Sequence, residues 1–286
     1  MSDIKIVVDS SADLSLELLE KYNITMIPMM SVFGETSYVI GKDMSTDKFY
    51  DLLKTSGIHP TTSLTPYATM YEMLLEESKK HKTVIYFTIS SKASGQNHSA
   101  HLVLDDILEN GNPDADIRIV DTMSFSMLIG SGAIKAAEMA EDGKTPEEII
   151  KTAIEYINKW HVLFVVNDLM YLEKGGRLRK STAILGSLLD IKPVLTVNDG
   201  LIEAETKLRG KKKICNKICN LINEDENFDE KDGHFIILHS DDALAKEAYD
   251  TISDEFEVKD ITTCKLGPLI GTHTGDGIVA FVYRTK

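Results

Sequence analysis

An α/β protein of two domains is predicted: an N-terminal domain (1–157) with a mostly parallel sheet flanked by helices, and a C-terminal α+β domain (158–286) with a mixed sheet. Three observations predict it. A unit of buried strand, polar loop and amphipathic helix occurs three times in the first half, and strands alternating with helices form parallel sheets. From Trp160 the pattern changes to a hairpin and several further strands. The chain is 286 residues long and 43% hydrophobic, enough to fill two cores.

The elements follow in order. "IKIVVDSSADLSLELLEKY" reads as a strand, a Ser/Asp loop and a helix with Leu14, Leu18 and Leu19 on one face, capped near Asp13 or Ser15. The second copy places a strand at Thr83 to Thr88 and a helix starting near Ser94. In the third, "IRIVDTMSFSMLIGSGAIKAAEMAEDG", the helix stops at Gly143. Parallel sheets carry ligand groups in the loops at strand C-terminal ends, where Asp9, Ser10, Ser90, Ser91, Ser94, Asp121 and Thr122 fall. A helix at 146–159 precedes the second half. There "HVLFVV" is a strand, "DLMYLEKGG" a short helix stopped by two glycines, and "STAILGSLL" an apolar helix. "KPVLTVNDGLIEAETKL" is a hairpin turning at Asn198-Asp199-Gly200. Strands at "HFIILHS", "FEVKDITTCKL" and "GIVAFVY" and a helix over 242–253 complete the chain.

Charge restricts the partners. A net charge of -14 argues against nucleic acid. Between Glu173 and Lys217, however, eleven Lys or Arg stand against five acids, a net +6, which suits a docking face or an anion. The chain opens directly on a strand-like run and has no apolar stretch of about 18 residues, so a cytoplasmic protein without integral membrane association is expected. Cys215, Cys219 and Cys264 are odd in number and read as reduced core thiols.

Five segments carry candidate chemistry. "PTTSLTP" (60–66) puts Thr61, Thr62, Ser63 and Thr65 in a loop whose hydroxyls can grip an oxyanion. In "SSKASGQNHSA", Ser94 and the Gly95 amide stand at a helix start that favours a carboxylate or phosphate. Arg177 and Arg209, in "EKGGRLRK" and "KLRGKKK", suit bidentate grasp of such groups. Finally "GTHTGDG" (271–277) holds His273 in a glycine-rich loop that can approach a metal, a scissile bond or a ligand head. The intervals to His98, His101 and His239 do not match metal-ligand spacing, and no metal or cofactor is expected. A Ser/His acyl hydrolase, with Ser94 as nucleophile, His273 as base and Asp276 or Asp121 as orienting acid, is an alternative, although the G-x-S-x-G elbow is absent.

Taken in order, "VDSSADL", "TTSLTP", "ISSKASGQNHSA", "VDTMSFSM", "LEKGGRLRK", "LLDIKPVLTVNDG", "LRGKKK" and "GPLIGTHTGDG" resemble the DegV family of fatty acid carriers over almost the whole chain. The resemblance implies a buried acyl tunnel at or near the domain junction and no turnover by the protein itself. It implies a carboxylate held by Thr62, Ser63, Ser94 with the Gly95 amide, and His273. It also implies a partner, an ATP-dependent fatty acid kinase subunit that makes acyl phosphate for phospholipid synthesis, docking at Arg177 and above all Arg209. A regulatory module with a structural lipid is a further alternative. Burial of a 16-carbon chain is worth on the order of 10 kcal/mol before ordering costs, so neutral hydroxyls suffice to orient the head. The chain departs from the family at Leu64, at Gln96 and at Asp276, which stands close to His273 and is expected to raise its pKa or repel a carboxylate.

Overall fold

The structure, a computed structural model, describes residues 3–179, 191–209 and 213–286, with only the backbone of 191 and 209. The apolar helix expected at "STAILGSLL" and the residues Lys180, Lys211 and Lys212 lie outside the described residues.

In chain order the first half comprises β1 (Ile4–Asp9), α1 (Leu16–Lys21), β2 (Thr25–Ile27), β3 (Met30–Phe33), β4 (Thr36–Val39), α2 (Thr46–Thr55), β5 (Thr61–Ser63), α3 (Tyr67–Lys80), β6 (Thr83–Thr88), α4 (Gln96–Asp106), β7 (Asp116–Asp121), α5 (Met127–Glu141) and α6 (Pro146–Asn158). The second comprises β8 (Trp160–Val165), α7 (Met170–Gly175), β9 (Ile191–Asn198), β10 (Leu201–Arg209), α8 (Ile214–Glu224), β11 (His234–His239), α9 (Asp242–Glu255), β12 (Asp260–Lys265), α10 (Pro268–Thr274) and β13 (Val279–Arg284).

Strands β2-β1-β6-β7 form a parallel sheet, and β10-β9-β8-β13-β11-β12 form a mixed one in which only β11 and β12 run parallel. The period-2 alternation of side chains distributes the core among layers. Ile85 and Phe87 of β6 face α5 and α6 together with Val162, Phe164, Leu238 and Val282 of the mixed sheet, in one cluster that joins the two sheets. Val84 and Tyr86 point the other way, onto Met70 and Leu74 of α3 and Val103 of α4. On the far face of the mixed sheet Leu163, Phe235, Ile237 and Phe281 pack against Cys215, Ile218, Cys219 and Ile222 of α8 and Ala248 and Ile252 of α9. Both cysteines are free, and burial pushes their thiols up to about 12. All strands of the parallel sheet precede residue 157, near the end of α6, and all those of the mixed sheet follow it.

Local chemistry sets the turns. Ser15, not Asp13, caps α1 by accepting the Leu18 N–H. Asp199 and Gly200 both adopt left-handed φ (48° and 72°), as a two-residue hairpin turn requires. Two segments differ from the expected loops. Thr61–Ser63 is the edge strand of a small antiparallel sheet, β4-β3-β5, with Thr62 opposite Ser31. Residues 268–274 are helical from Pro268 at the first turn, so His273 projects from a helix.

Candidate functional site

The C-terminal edge of the parallel sheet, β5, α7, β10 and α10 enclose a cavity with two compartments. One is lined by Thr62, Ala93, Ser94, Arg177 and His273 with Met29, Ile89 and Leu269 behind them. The other lies between the start of α5 and the mixed sheet and is lined by Leu128, Val162, Phe164, Val197, Leu238 and Ile278. Phe125, Ile202, Ile270 and Thr274 line both. A polar end therefore opens onto an apolar one.

His273 organises the polar end. Its Nε2 lies 3.2 Å from Thr62 Oγ1, and its Nδ1 is buried and has no hydrogen-bond partner among the described residues. Gly175, where the double glycine ends α7, provides the room: a Cβ there would stand 2.5 Å from Nδ1. Burial, then the Arg177 charge and His59, pull the His273 pKa down to about 4, so the ring is neutral at physiological pH. The helix comes this close because Gly271 lies against Phe49, whose Cε1 would be 2.6 Å from an added Cβ.

Arg177 is half-buried and turned inward. Its Nε donates to Ala93 O at 3.0 Å and Nη1 to Gly175 O, tying the Ser94 loop to the end of α7. Burial alone pulls its pKa down, and among the described residues it has no carboxylate partner. Arg177, expected at a docking face, lines the cavity.

The other expected residues divide. Thr62 and Ser94 line the cavity, and Ser94 Oγ also accepts the Gln96 N–H at 3.3 Å. Ser63 is exposed, because strand alternation turns it to the opposite face of β5 from Thr62. Gly95 caps α4 and is exposed, outside the lining. Thr65 is buried and belongs to a hydrogen-bonded unit with Gln96, whose Nε2 donates to Thr65 Oγ1 (2.7 Å) and Tyr86 Oη (3.0 Å). In the sequence Gln96 stands out only as a departure from the family; in the structure it locks the β5–α3 connection onto α4. Asp276 does not act on His273: it pairs with Lys54 at 3.3 Å. Arg209 ends β10, and its side chain lies outside the described residues.

No hydrolytic triad forms among the described residues. Asp121 accepts the Ser91 and Met123 N–H groups, and no carboxylate orients His273, whose Nδ1 is unpartnered. Among the described residues no group of three or more His, Cys, Asp or Glu could hold a metal ion, and no helix is long and apolar enough to cross a membrane.

Comparison with known proteins gives the same family throughout. The family model described as "Uncharacterised protein, DegV family" matches residues 3–286. A DegV domain-containing protein of Clostridium acetobutylicum is 33% identical over 286 residues, 99% of this chain and 98% of its own length. Among solved structures, DegV of Bacillus subtilis, described as a fatty acid binding protein, is 30% identical with a TM-score of 0.85 over 100% of both chains. A stearic acid-binding protein of Eubacterium ventriosum is 27% identical with a TM-score of 0.83 over 98% of both.

Proposed function

Because this chain belongs to the DegV family, we propose that it binds a long-chain fatty acid, with the acyl chain in the apolar compartment and the carboxylate at Thr62, Ser94, His273 and Arg177. One observation carries this reading: a compartment lined by Leu128, Val162, Phe164 and Leu238 adjoins one in which Thr62, Ser94, Arg177 and His273 come together. The solved B. subtilis and E. ventriosum relatives, which bind fatty acids, support the ligand class. The acyl chain supplies most of the affinity, at roughly 0.8 kcal/mol per buried CH2. Hydroxyl and imidazole donors orient the head without a covalent step, so the protein acts as a carrier.

The same reading makes 1–157 and 158–286 two domains that share the ligand, and places the carrier in the cytoplasm. It gives the fatty acid to an ATP-dependent kinase subunit, whose acyl phosphate product serves phospholipid synthesis. The net +6 of residues 173–217, Arg209 among them, supports a docking face for an acidic partner. Solvent extraction and mass spectrometry of the purified protein test the ligand: about one fatty acid per chain is expected, and Arg177→Gln should recover about tenfold less. Protein without fatty acid and without affinity for added palmitate would sink the proposal. Charge reversal at Arg209 tests docking, since it should abolish acyl phosphate formation by a reconstituted kinase while leaving the lipid bound.

A further inference from the structure

The loop after β1 brings one carboxylate to the meeting point of the two helices that wall the cavity. Asp13 adopts a left-handed conformation (φ 53°) immediately after a short 3-10 turn at Ser10–Ala12. Its Oδ2 accepts the Ser126 hydroxyl at 2.5 Å, and its Oδ1 accepts the Gly267 N–H at 3.1 Å. Ser126 stands at the N-terminus of α5 and Gly267 at the N-terminus of α10.

Both partners bear on the cavity. Ser126 is buried, lines the apolar compartment, and follows Phe125, which lines both. Gly267 begins the helix that carries Leu269, Ile270, His273 and Thr274 into the cavity. Gly267 must lack a side chain, since a Cβ would stand 2.4 Å from Asp13 Oδ1.

Ser126 is held in a conformation it would not adopt alone. Its φ of 53° and ψ of -141° lie where only glycine is at ease, and such a residue persists only if its surroundings impose the geometry. A serine at a helix start ordinarily caps the helix, but Ser126 makes no side-chain cap bond to α5. Its hydroxyl goes to Asp13 instead, across 113 residues of chain.

We propose that Asp13 is a positioning residue for the lipid site: its carboxylate latches the strained start of α5 to the start of α10 and so sets the walls that retain the acyl chain. This inference rests on the fatty acid reading of the cavity. Asp13 itself lines neither compartment and acts through Ser126 and α10. Burial, opposed by these hydrogen bonds, brings its carboxyl to about 7, so its charge changes near physiological pH. The titratable groups that face it are Asp9 from the end of β1, Cys264 from β12, whose thiol lies 3.6 Å from Asp13 O, and Tyr50 from α2. The nearby charge of Lys265 is paired with Asp47 at 2.8 Å.

The test uses cis-parinaric acid, a fluorescent 18-carbon fatty acid, and measures its release from the full-length protein between pH 5.5 and 8.5. Asp13→Ala and Ser126→Ala should each release it about tenfold faster at pH 8, the loss expected for one charge-assisted hydrogen bond. Release from the wild type should quicken as pH falls through about 7. Asp13→Asn keeps an acceptor for the Gly267 amide and a donor for Ser126; it should retain the probe at a pH-independent rate close to that of the wild type at low pH. Wild-type rates in Ser126→Ala and Asp13→Ala, or a surviving pH step in Asp13→Asn, would overturn the latch. Should the wild type fail to bind the probe, the fatty acid reading falls first. Hydrogen exchange of the ligand-free protein then decides the latch: faster exchange at 126–130 and 268–274 in Ser126→Ala upholds it, and unchanged exchange ends it.

Discussion

Thr62 Oγ1 and His273 Nε2 lie 3.2 Å apart although 211 residues separate them in sequence. The contact joins the edge strand β5 to α10 at the polar end of the cavity, where the proposed fatty acid places its carboxylate. Each neutral hydrogen bond is worth about 1 kcal/mol, and one to an ionised head about 1.5–3 kcal/mol.

Removing either partner should therefore weaken fatty acid binding by about tenfold. Because the two act on one head group and on each other, the double variant Thr62→Ala/His273→Ala should lose less than the product of the single losses. Titration calorimetry with palmitate on all four proteins measures the coupling; strictly multiplicative losses would show that the two residues do not share a ligand.

Gly175 supplies the second prediction. A methyl group there meets the imidazole Nδ1 at 2.5 Å, and His273 cannot retreat because Gly271 already abuts Phe49. Gly175→Ala should cost about 1–3 kcal/mol of stability and weaken binding, since an overpacked wall displaces the ring. Gly176→Ala next to it meets no atom within 4 Å but bears a φ of 69°, so it should lose stability through backbone strain alone and keep its affinity. Thermal melts alongside palmitate affinity separate the two.

The third concerns pH. The folded-state pKa of His273, about 4, lies below the ordinary 6.5, so the unfolded chain binds more protons between those values. The contribution of His273 to stability is then present above about 6.5 and lost as pH falls toward 4. Asp13 has the opposite sign: its raised pKa of about 7 favours the folded state at low pH and loses that contribution as pH rises from about 4 to 7. Denaturation across pH 4 to 8 should show His273→Gln flattening the rise with pH and Asp13→Asn flattening the fall. NMR of the imidazole should also show a higher His273 pKa in the loaded protein than in the empty one, because a bound carboxylate favours the charged ring.

Much of the scaffold was legible because it depends on local chemistry. The turn at Asp199-Gly200, the glycine stop of α7 and the alternating buried faces of β8, β11 and β13 each follow from residues within a few positions of one another. Thr62, Ser94 and His273 were also legible as polar groups beside glycines or helix starts. Ser63 and Gly95 were not separable from them, since which hydroxyl or amide faces inward depends on the pairing of β5 with β3 and on the course of the chain into α4. The segment 268–274 read as a loop because glycine and threonine are poor helix formers, and packing against α2 and α7 overrode that propensity.

By itself, then, the sequence determined the alternating elements, the hairpin, the acidic surface and the polar residues from which a site had to be built, all matters of spacing along the chain. Only the tertiary structure decided that Arg177 turns inward, that Asp276 pairs with Lys54 rather than with His273, that Gln96 is a buried strut, and that Asp13 meets Ser126 and Gly267. Those outcomes depend on which distant groups the fold brings together, and among the buried ones an unpaired charge or hydrogen bond is costly. Side chains settle by satisfying one another across 31 to 254 residues of chain, and no local pattern records such a choice.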